Sequence, residues 1–370
     1  MTEQTEPKLA APGAGLPILE LFVARLLFAL RRLTGNRSSF DARFRREREL
    51  IGALVSSCDE ESGARRILKS NLRALALFAV TILILPGLQA QVPTLSNVPY
   101  GKHARQVLDF YQAKSEQKTP LLFFIHGGGW MNGDKANPDF LAKCLESGIS
   151  VVSINYRLIP DATAEKIDPP VKACLDDAAR ALQFVRSKAA KWRIDKDRIG
   201  GCGGSAGGFT ALWLAFHPDM ADAKSGDPIS RESTRLRCVM AFVPQTSLDP
   251  KQMQEWIPNN QYGNHAFGLG SMKEFLDKRE ALMPWIQEFS PYALASADDP
   301  PVLLFYDNPP NLGQPYKDPP HSGNFGAGLA EKLKAVGIEH EINYNNDYGK
   351  MKYPDLFGFL REKLKGNPAK

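Results

Sequence analysis

The sequence predicts an α/β fold built on a mostly parallel sheet. Three observations carry that expectation. Short β-branched or aromatic runs alternate with helical stretches from about residue 95 onward. Some of these runs, "PLLFFIH" (120–126) and "ISVVSINY" (149–156), are apolar almost throughout, as in strands buried on both faces. One strand, "RIGGCGG", runs directly into a glycine-rich turn and then a helix.

The elements follow in order. "RQVLDFYQA" (105–113) reads as a strand of period two, followed by the two apolar strands above. "PPVKACLDDAARALQFVRSKAAKW" (169–192) has apolar residues at helical spacing. After the glycine-rich turn, "AGGFTALWLAFH" is a helix, and "LRCVMAFVP" (236–244) and "PVLLFYD" (301–307) are strands. "GLAEKLKAVG" (328–337) is a helix, "EHEINYN" (339–345) a strand and "PDLFGFLREKL" (354–364) a closing helix. Residues 246–298 break the rhythm, with Met253, Trp256, Trp285 and several polar turns. They read as a small insertion covering the sheet's carboxyl edge, where ligands of α/β sheets bind.

The 370 residues are 43% apolar, which supports a sizeable core. The net charge of +5 is uneven. Residues 1–73 hold 13 Lys and Arg against 9 Asp and Glu, while residues 74–90 hold no charge. The rest is therefore close to neutral and gives no nucleic-acid footprint. "ALALFAVTILILPGLQA" (74–90) follows the basic "RRILKSNLR" and ends in a small-residue cleavage pattern. Its apolar part is shorter than the ~20 residues of a membrane span. It reads as a secretory signal, with a single membrane anchor as the alternative, so the expected location is periplasmic or extracellular. Residues 1–73 are then either a cytoplasmic extension or upstream of the true start of translation, and 91–370 is the folded domain. Membrane contact is expected only through the N-terminal segment, if it stays uncleaved. Five cysteines are too few for a disulfide scaffold, and Cys202 and Cys238 in apolar runs read as buried free thiols. No metal-ligand spacing and no cofactor motif is present.

Two motifs carry chemistry. "GGSAG" (203–207) fits G-x-S-x-G between a strand and a helix, where Ser205 would sit on a strained turn with its hydroxyl exposed. The turn has no P-loop lysine, which sets aside the phosphate-binding alternative. "HGGGW" (126–130) ends an earlier strand, and its glycines let backbone N–H groups approach a substrate oxygen.

With "SINYRL", "DDAARALQFV" and "LAEKLKAVGI", these motifs make the chain resemble the α/β-hydrolase family, in its hormone-sensitive-lipase-like and bacterial esterase branch. The resemblance covers roughly residues 95–366. It implies an eight-stranded, mostly parallel sheet and attack of Ser205 on the carbonyl of a small carboxylic ester. It also implies oxyanion donors from the backbone of Gly127, Gly128 and Gly129 and from the N–H of Ala206, without a cofactor. His126 of such a motif is structural.

The chain departs from the family in two places. The acid usually follows the seventh strand within "GDxD"; here Asp307 stands slightly early and a proline-rich loop follows. The histidine usually follows the eighth strand; here that place reads "NNDYGKM". Neither Tyr348 nor Lys350 is an easy substitute, since both ordinarily hold their protons to about pH 10. Of six histidines, His321 in "DPPHSGNFG" has the reach. Fourteen residues separate it from Tyr306. The elbow strand should lie two strands away, about 10 Å at ~4.8 Å per strand. Asp307, Asp347 or Asp249 would complete the set. The expectation is an exported serine esterase using Ser205, His321 and Asp307. A binding protein that keeps the fold without the base is the alternative, and a peptidase of the same fold is a weaker third.

Overall fold

The computed structural model describes residues 91–353 and 355–365, which lie in one unit, Ala90–Lys370. The expected extension (1–73), the signal or anchor (74–90) and Cys58 lie outside the described residues.

Eight strands form one sheet: β1 (Leu95–Pro99), β2 (Val107–Tyr111), β3 (Thr119–Ile125), β4 (Ser150–Ile154), β5 (Ile194–Gly204), β6 (Cys238–Phe242), β7 (Val302–Tyr306) and β8 (His340–Tyr344). Their order is β1-β2-β4-β3-β5-β6-β7-β8. β1 and β2 pair antiparallel, as do β2 and β4; every other pairing is parallel. The sheet thus matches the fold expected from sequence. β1, with four of five residues exposed, is an edge strand with no alternating pattern to announce it.

Alternation along the strands feeds two cores. Leu121, Phe123 and Ile125 of β3 face one side, Leu122 and Phe124 the other. Helix α1 (Leu141–Glu146) precedes β4, and α2 (Ile159–Ala164) and α3 (Val171–Ser187) follow it. α4 (Ala206–Phe216) follows β5. Between β6 and β7, inside the insertion, come α5 (Pro250–Trp256), α6 (Met272–Asp277), α7 (Arg279–Phe289) and α8 (Pro291–Leu294). α9 (Gly323–Val336) and α10 (Leu356–Lys365) close the fold. Residues of α3, α4 and α9 join the first core, and those of α1 and α10 join the second. A helix on each face is what lets β3, β4 and β7 be apolar on both sides.

A buried ion pair fixes the loop after β3. Lys135 Nζ lies 2.9 Å from Asp109 Oδ2 on β2, both almost fully buried. The Lys135 N–H donates to Asn155 Oδ1 (2.6 Å), and Ser153 Oγ donates to the Lys135 carbonyl (2.7 Å). With its backbone also bonded, the pair anchors the segment leaving the glycine turn to β2 and β4. Removing either partner would strand a buried charge, which typically costs about 3–5 kcal/mol. Among the described residues no helix is long and apolar enough to cross a membrane.

Candidate active site

β5 ends at Gly204 and α4 begins at Ala206, so Ser205 is the whole turn between them. Its φ of 52° and ψ of −124° are a conformation that residues with side chains rarely adopt. The surroundings enforce it. The Ser205 N–H donates to the Phe242 carbonyl of β6 (2.8 Å), and the Phe209 N–H donates to the Ser205 carbonyl (2.9 Å). A Cβ on Gly207 would fall 2.1 Å from the Ile125 carbonyl oxygen. Only glycine lets α4 approach β3 this closely.

The neighbouring turn leaves β3 through Gly127–Trp130. Gly128 (φ 100°) and Gly129 (φ 64°) take left-handed conformations. Trp130 is fully buried beneath them. Its indole N–H donates to Thr210 Oγ1 (3.1 Å), which donates in turn to the Ala206 carbonyl (2.8 Å). The indole also meets Phe209 edge-on at 5.0 Å. One tryptophan therefore ties the glycine turn to the start of α4.

His126 braces the same turn. Its Nδ1 donates to the Gly127 carbonyl (2.8 Å), and its ring stacks on Tyr156 at 4.4 Å. Burial lowers its pKa, which favours the neutral imidazole. Ala206 is the first helical residue, so its N–H has no acceptor within the helix. The N–H groups of Gly128 and Gly129 have no acceptor among the described residues.

His321 arrives from the other side. The segment 307–322 between β7 and α9 is pinned along its length. Buried Asn324 donates to the carbonyls of Asn311 (3.0 Å) and Trp256 (2.7 Å) and accepts from the Asn311 N–H (2.6 Å). Asn259 holds the Tyr316 backbone through both its amide atoms, at 2.8 and 2.9 Å. Gln245 donates to the Pro320 carbonyl. The segment ends in a 3₁₀ turn, Pro319–His321, whose His321 N–H donates to the Asp318 carbonyl at 3.0 Å. His321 Nε2 lies 2.9 Å from Ser205 Oγ, and Nδ1 lies 2.7 Å from Asp318 Oδ2. Ser205, His321 and Asp318 form an unbroken hydrogen-bonded chain.

The carboxylate in that chain is not one named from the sequence. Asp307 is exposed at the end of β7 and makes no hydrogen bond among the described residues. Asp249 caps α5 and pairs with Arg279, at 2.6 Å through Oδ2. Asp347 caps a 3₁₀ turn by accepting from the Gly349 N–H. Asp318 takes the place because Asp-Pro-Pro-His closes one tight turn, which folds a carboxylate three residues upstream onto the ring. That spacing, with two prolines fixing the turn, was the signal available in the sequence.

A cavity of about 570 Å³ opens above the serine, lined by Gly128, Gly129, Met131, Ser205, Tyr262, His265, Pro320 and His321. Gly127 is not among the lining residues; the Gly204 carbonyl oxygen would lie 2.6 Å from a Cβ placed on it. Tyr262 and His265 come from the insertion and were not singled out as site residues from sequence. His265 Nε2 donates to the Gly129 carbonyl (3.0 Å), and burial lowers its pKa. The other histidines have separate partners: His103 lies 3.8 Å from Glu165, His217 bonds Glu288 and His340 bonds the Ile338 carbonyl. Among the described residues no cluster of three or more His, Cys, Asp or Glu could hold a metal ion.

This arrangement can do acyl-transfer chemistry. A serine hydroxyl faces an imidazole nitrogen, the other ring nitrogen faces a carboxylate, and free backbone N–H groups lie nearby.

A family model described as BD-FAE matches residues 108–311, more than half of the chain. The probable isoprenylcysteine alpha-carbonyl methylesterase ICMEL1 of Oryza sativa subsp. japonica is 30% identical over 172 residues, 44% of this chain and 39% of that protein. The carboxylic ester hydrolase LipN of Mycobacterium tuberculosis is 33% identical over 132 residues, 35% of this chain and 30% of that protein. The matches thus span well under half the length of these relatives. Among solved structures, a truncated carbohydrate esterase from gut microbiota aligns with a TM-score of 0.56 at 20% identity, over 75% of this chain and 99% of that one. An acetyl ester-xyloside bifunctional hydrolase from Caldicellulosiruptor lactoaceticus aligns with a TM-score of 0.53 at 23% identity, over 70% and 88% of the two chains. Both share the fold.

Proposed function

The chain belongs to the BD-FAE family of α/β-hydrolase esterases, and from that premise we propose that it hydrolyses small carboxylic esters through an acyl-enzyme on Ser205. The observation that carries the reading is the chain of hydrogen bonds from Asp318 through His321 to Ser205. Asp318 accepts from Nδ1–H, which leaves the Nε2 lone pair facing the serine hydroxyl. Nε2 takes the hydroxyl proton as Oγ adds to the ester carbonyl carbon. The carbonyl oxygen gains the charge and is held by the N–H groups of Gly128, Gly129 and Ala206. As the tetrahedral adduct collapses, His321 returns the proton to the departing alkoxide. Water, deprotonated by the same imidazole, then releases the carboxylic acid. The binding-protein alternative rested on the missing histidine at 348–350, and His321 supplies the imidazole from another loop.

An aryl-ester assay with an organophosphonate probe tests this. The probe should add one adduct, located on Ser205 by mass spectrometry, and Ser205→Ala should lose both adduct and turnover. An adduct elsewhere, or turnover by the variant, would overturn the reading.

Export remains part of the proposal. It is supported by the uncharged run Ala74–Ala90, its basic flank and its "LQA" end. N-terminal sequencing of protein recovered outside the cytoplasm should begin at Gln91. A start near Met1 on membrane-bound material would favour the anchor instead.

A further inference from the structure

Tyr262 reaches the cavity from the insertion, and its position is unusual for a residue outside the two motifs. A Cβ built on Gly129 would fall 2.6 Å from the Tyr262 hydroxyl oxygen. The phenol therefore occupies the space that a side chain at Gly129 would fill, against the turn whose N–H groups are free. It lines the same cavity as Ser205 and His321. Its hydroxyl has no acceptor among the described residues, although its surroundings hold the rest of it in place. Asn260 Nδ2 donates to the Tyr262 carbonyl (3.0 Å), and the His265 ring packs edge-on at 4.6 Å while bonding the Gly129 carbonyl. Tyr262, His265 and Gly129 are thus one assembly joining the insertion to the glycine turn.

We propose that the Tyr262 hydroxyl is a fourth hydrogen-bond donor to the oxygen of the reacting carbonyl, beside the backbone donors of Gly128, Gly129 and Ala206. A hydroxyl held against Gly129, with no acceptor for its proton among the described residues, is available to an oxygen that becomes negative next to it. Burial pushes the phenol pKa up to about 12, so it keeps the proton it donates through neutral and mildly alkaline pH. A donor fixed before the reaction needs no reorganisation when charge develops, which is the condition for a large effect on the barrier. The insertion then does more than cover the site; it contributes a group to it.

The inference rests on the serine-esterase reading of the site. Tyr262→Phe removes only the hydroxyl and keeps the ring packed on His265. With 4-nitrophenyl acetate, kcat should fall by roughly 10- to 10²-fold while KM stays within about twofold, since the bond strengthens chiefly in the transition state. Inhibition by phenylboronic acid, whose serine adduct is tetrahedral and anionic, should weaken about tenfold or more in the same variant. An unchanged kcat, or a rise in KM alone with unchanged boronate affinity, would overturn the inference, because the hydroxyl would then not touch the reacting oxygen. Ser205→Ala, run alongside, separates the two levels. If it keeps turnover, the esterase reading fails; if it loses turnover while Tyr262→Phe behaves as wild type, only the role of Tyr262 fails.

Discussion

His321 and Asp318 stand three residues apart on one turn, yet they should differ sharply in what their loss costs. On the proposed assignment, His321→Asn removes the base and should lower kcat for a short-chain aryl ester by at least about 10³-fold with folding unchanged. Asp318 only orients the ring, and its side chain is 60% exposed, so water can partly replace it. Asp318→Asn should cost roughly 10²-fold, less than the ~10⁴-fold seen where such an aspartate is buried. Asp307→Asn, which touches neither group, should leave kcat within about twofold. A larger loss at Asp307 than at Asp318 would return the acid to the end of β7. At this scale the sequence was legible wherever a motif has a tight mechanical meaning. Ser205, Gly128 and Gly129, which line the cavity, were named from turns that only small residues permit, and His321 from its reach; Gly127, named with them, does not line it. Asp318 is hidden from any reading based on strand ends, because the turn itself brings this carboxylate to the ring.

The element that matters most is the segment between β7 and α9. Asn324 is almost fully buried and makes three hydrogen bonds to the backbones of Asn311 and Trp256. Asn324→Ala leaves those backbone groups without their partner, and roughly 2–3 kcal/mol of unfolding free energy should be lost, read from the denaturant midpoint at constant m-value. kcat should fall as well, because the segment carries His321, whereas phosphonate labelling of Ser205 should slow rather than vanish. Unchanged stability would mean that the segment is held elsewhere. α9 was expected to begin near residue 328 but starts at Gly323 behind its Ser322 cap. Glycines disguise this first part. They are there because Cβ atoms on Gly323, Gly326 and Gly328 would meet Asn308, Tyr306 and Trp256 at 2.3–2.5 Å. Packing overrode helix propensity, and propensity was what the sequence displayed. The long apolar strands were readable since both faces are buried; α1 and α2, six residues each, are too short to show a period.

At the scale of the whole molecule, four thiols report on both cores. Cys144, Cys202 and Cys238 sit in one core and Cys174 in the other, all buried and unpaired. Burial pushes all four thiols up, Cys144 and Cys238 to about 12. A thiol reagent at pH 8 should therefore leave these four untouched in native protein and label them together once denaturant unfolds the sheet. Early labelling of one would reveal a part that opens on its own. The shared turn of Asp318 and His321 has a consequence for how this chain can change. Every side chain of the relay is already laid down by residue 321. Among the described residues beyond it the chain supplies a helix, an edge strand and a closing helix, which hold that turn in place, through Asn324 above all, and add no side chain to the relay. On the proposed assignment the end of β8, where the resemblance led the sequence reading to expect a histidine, carries no part of that relay. Acid and base meanwhile travel as one portable cassette, which insertion or deletion upstream of residue 318 would displace without parting them.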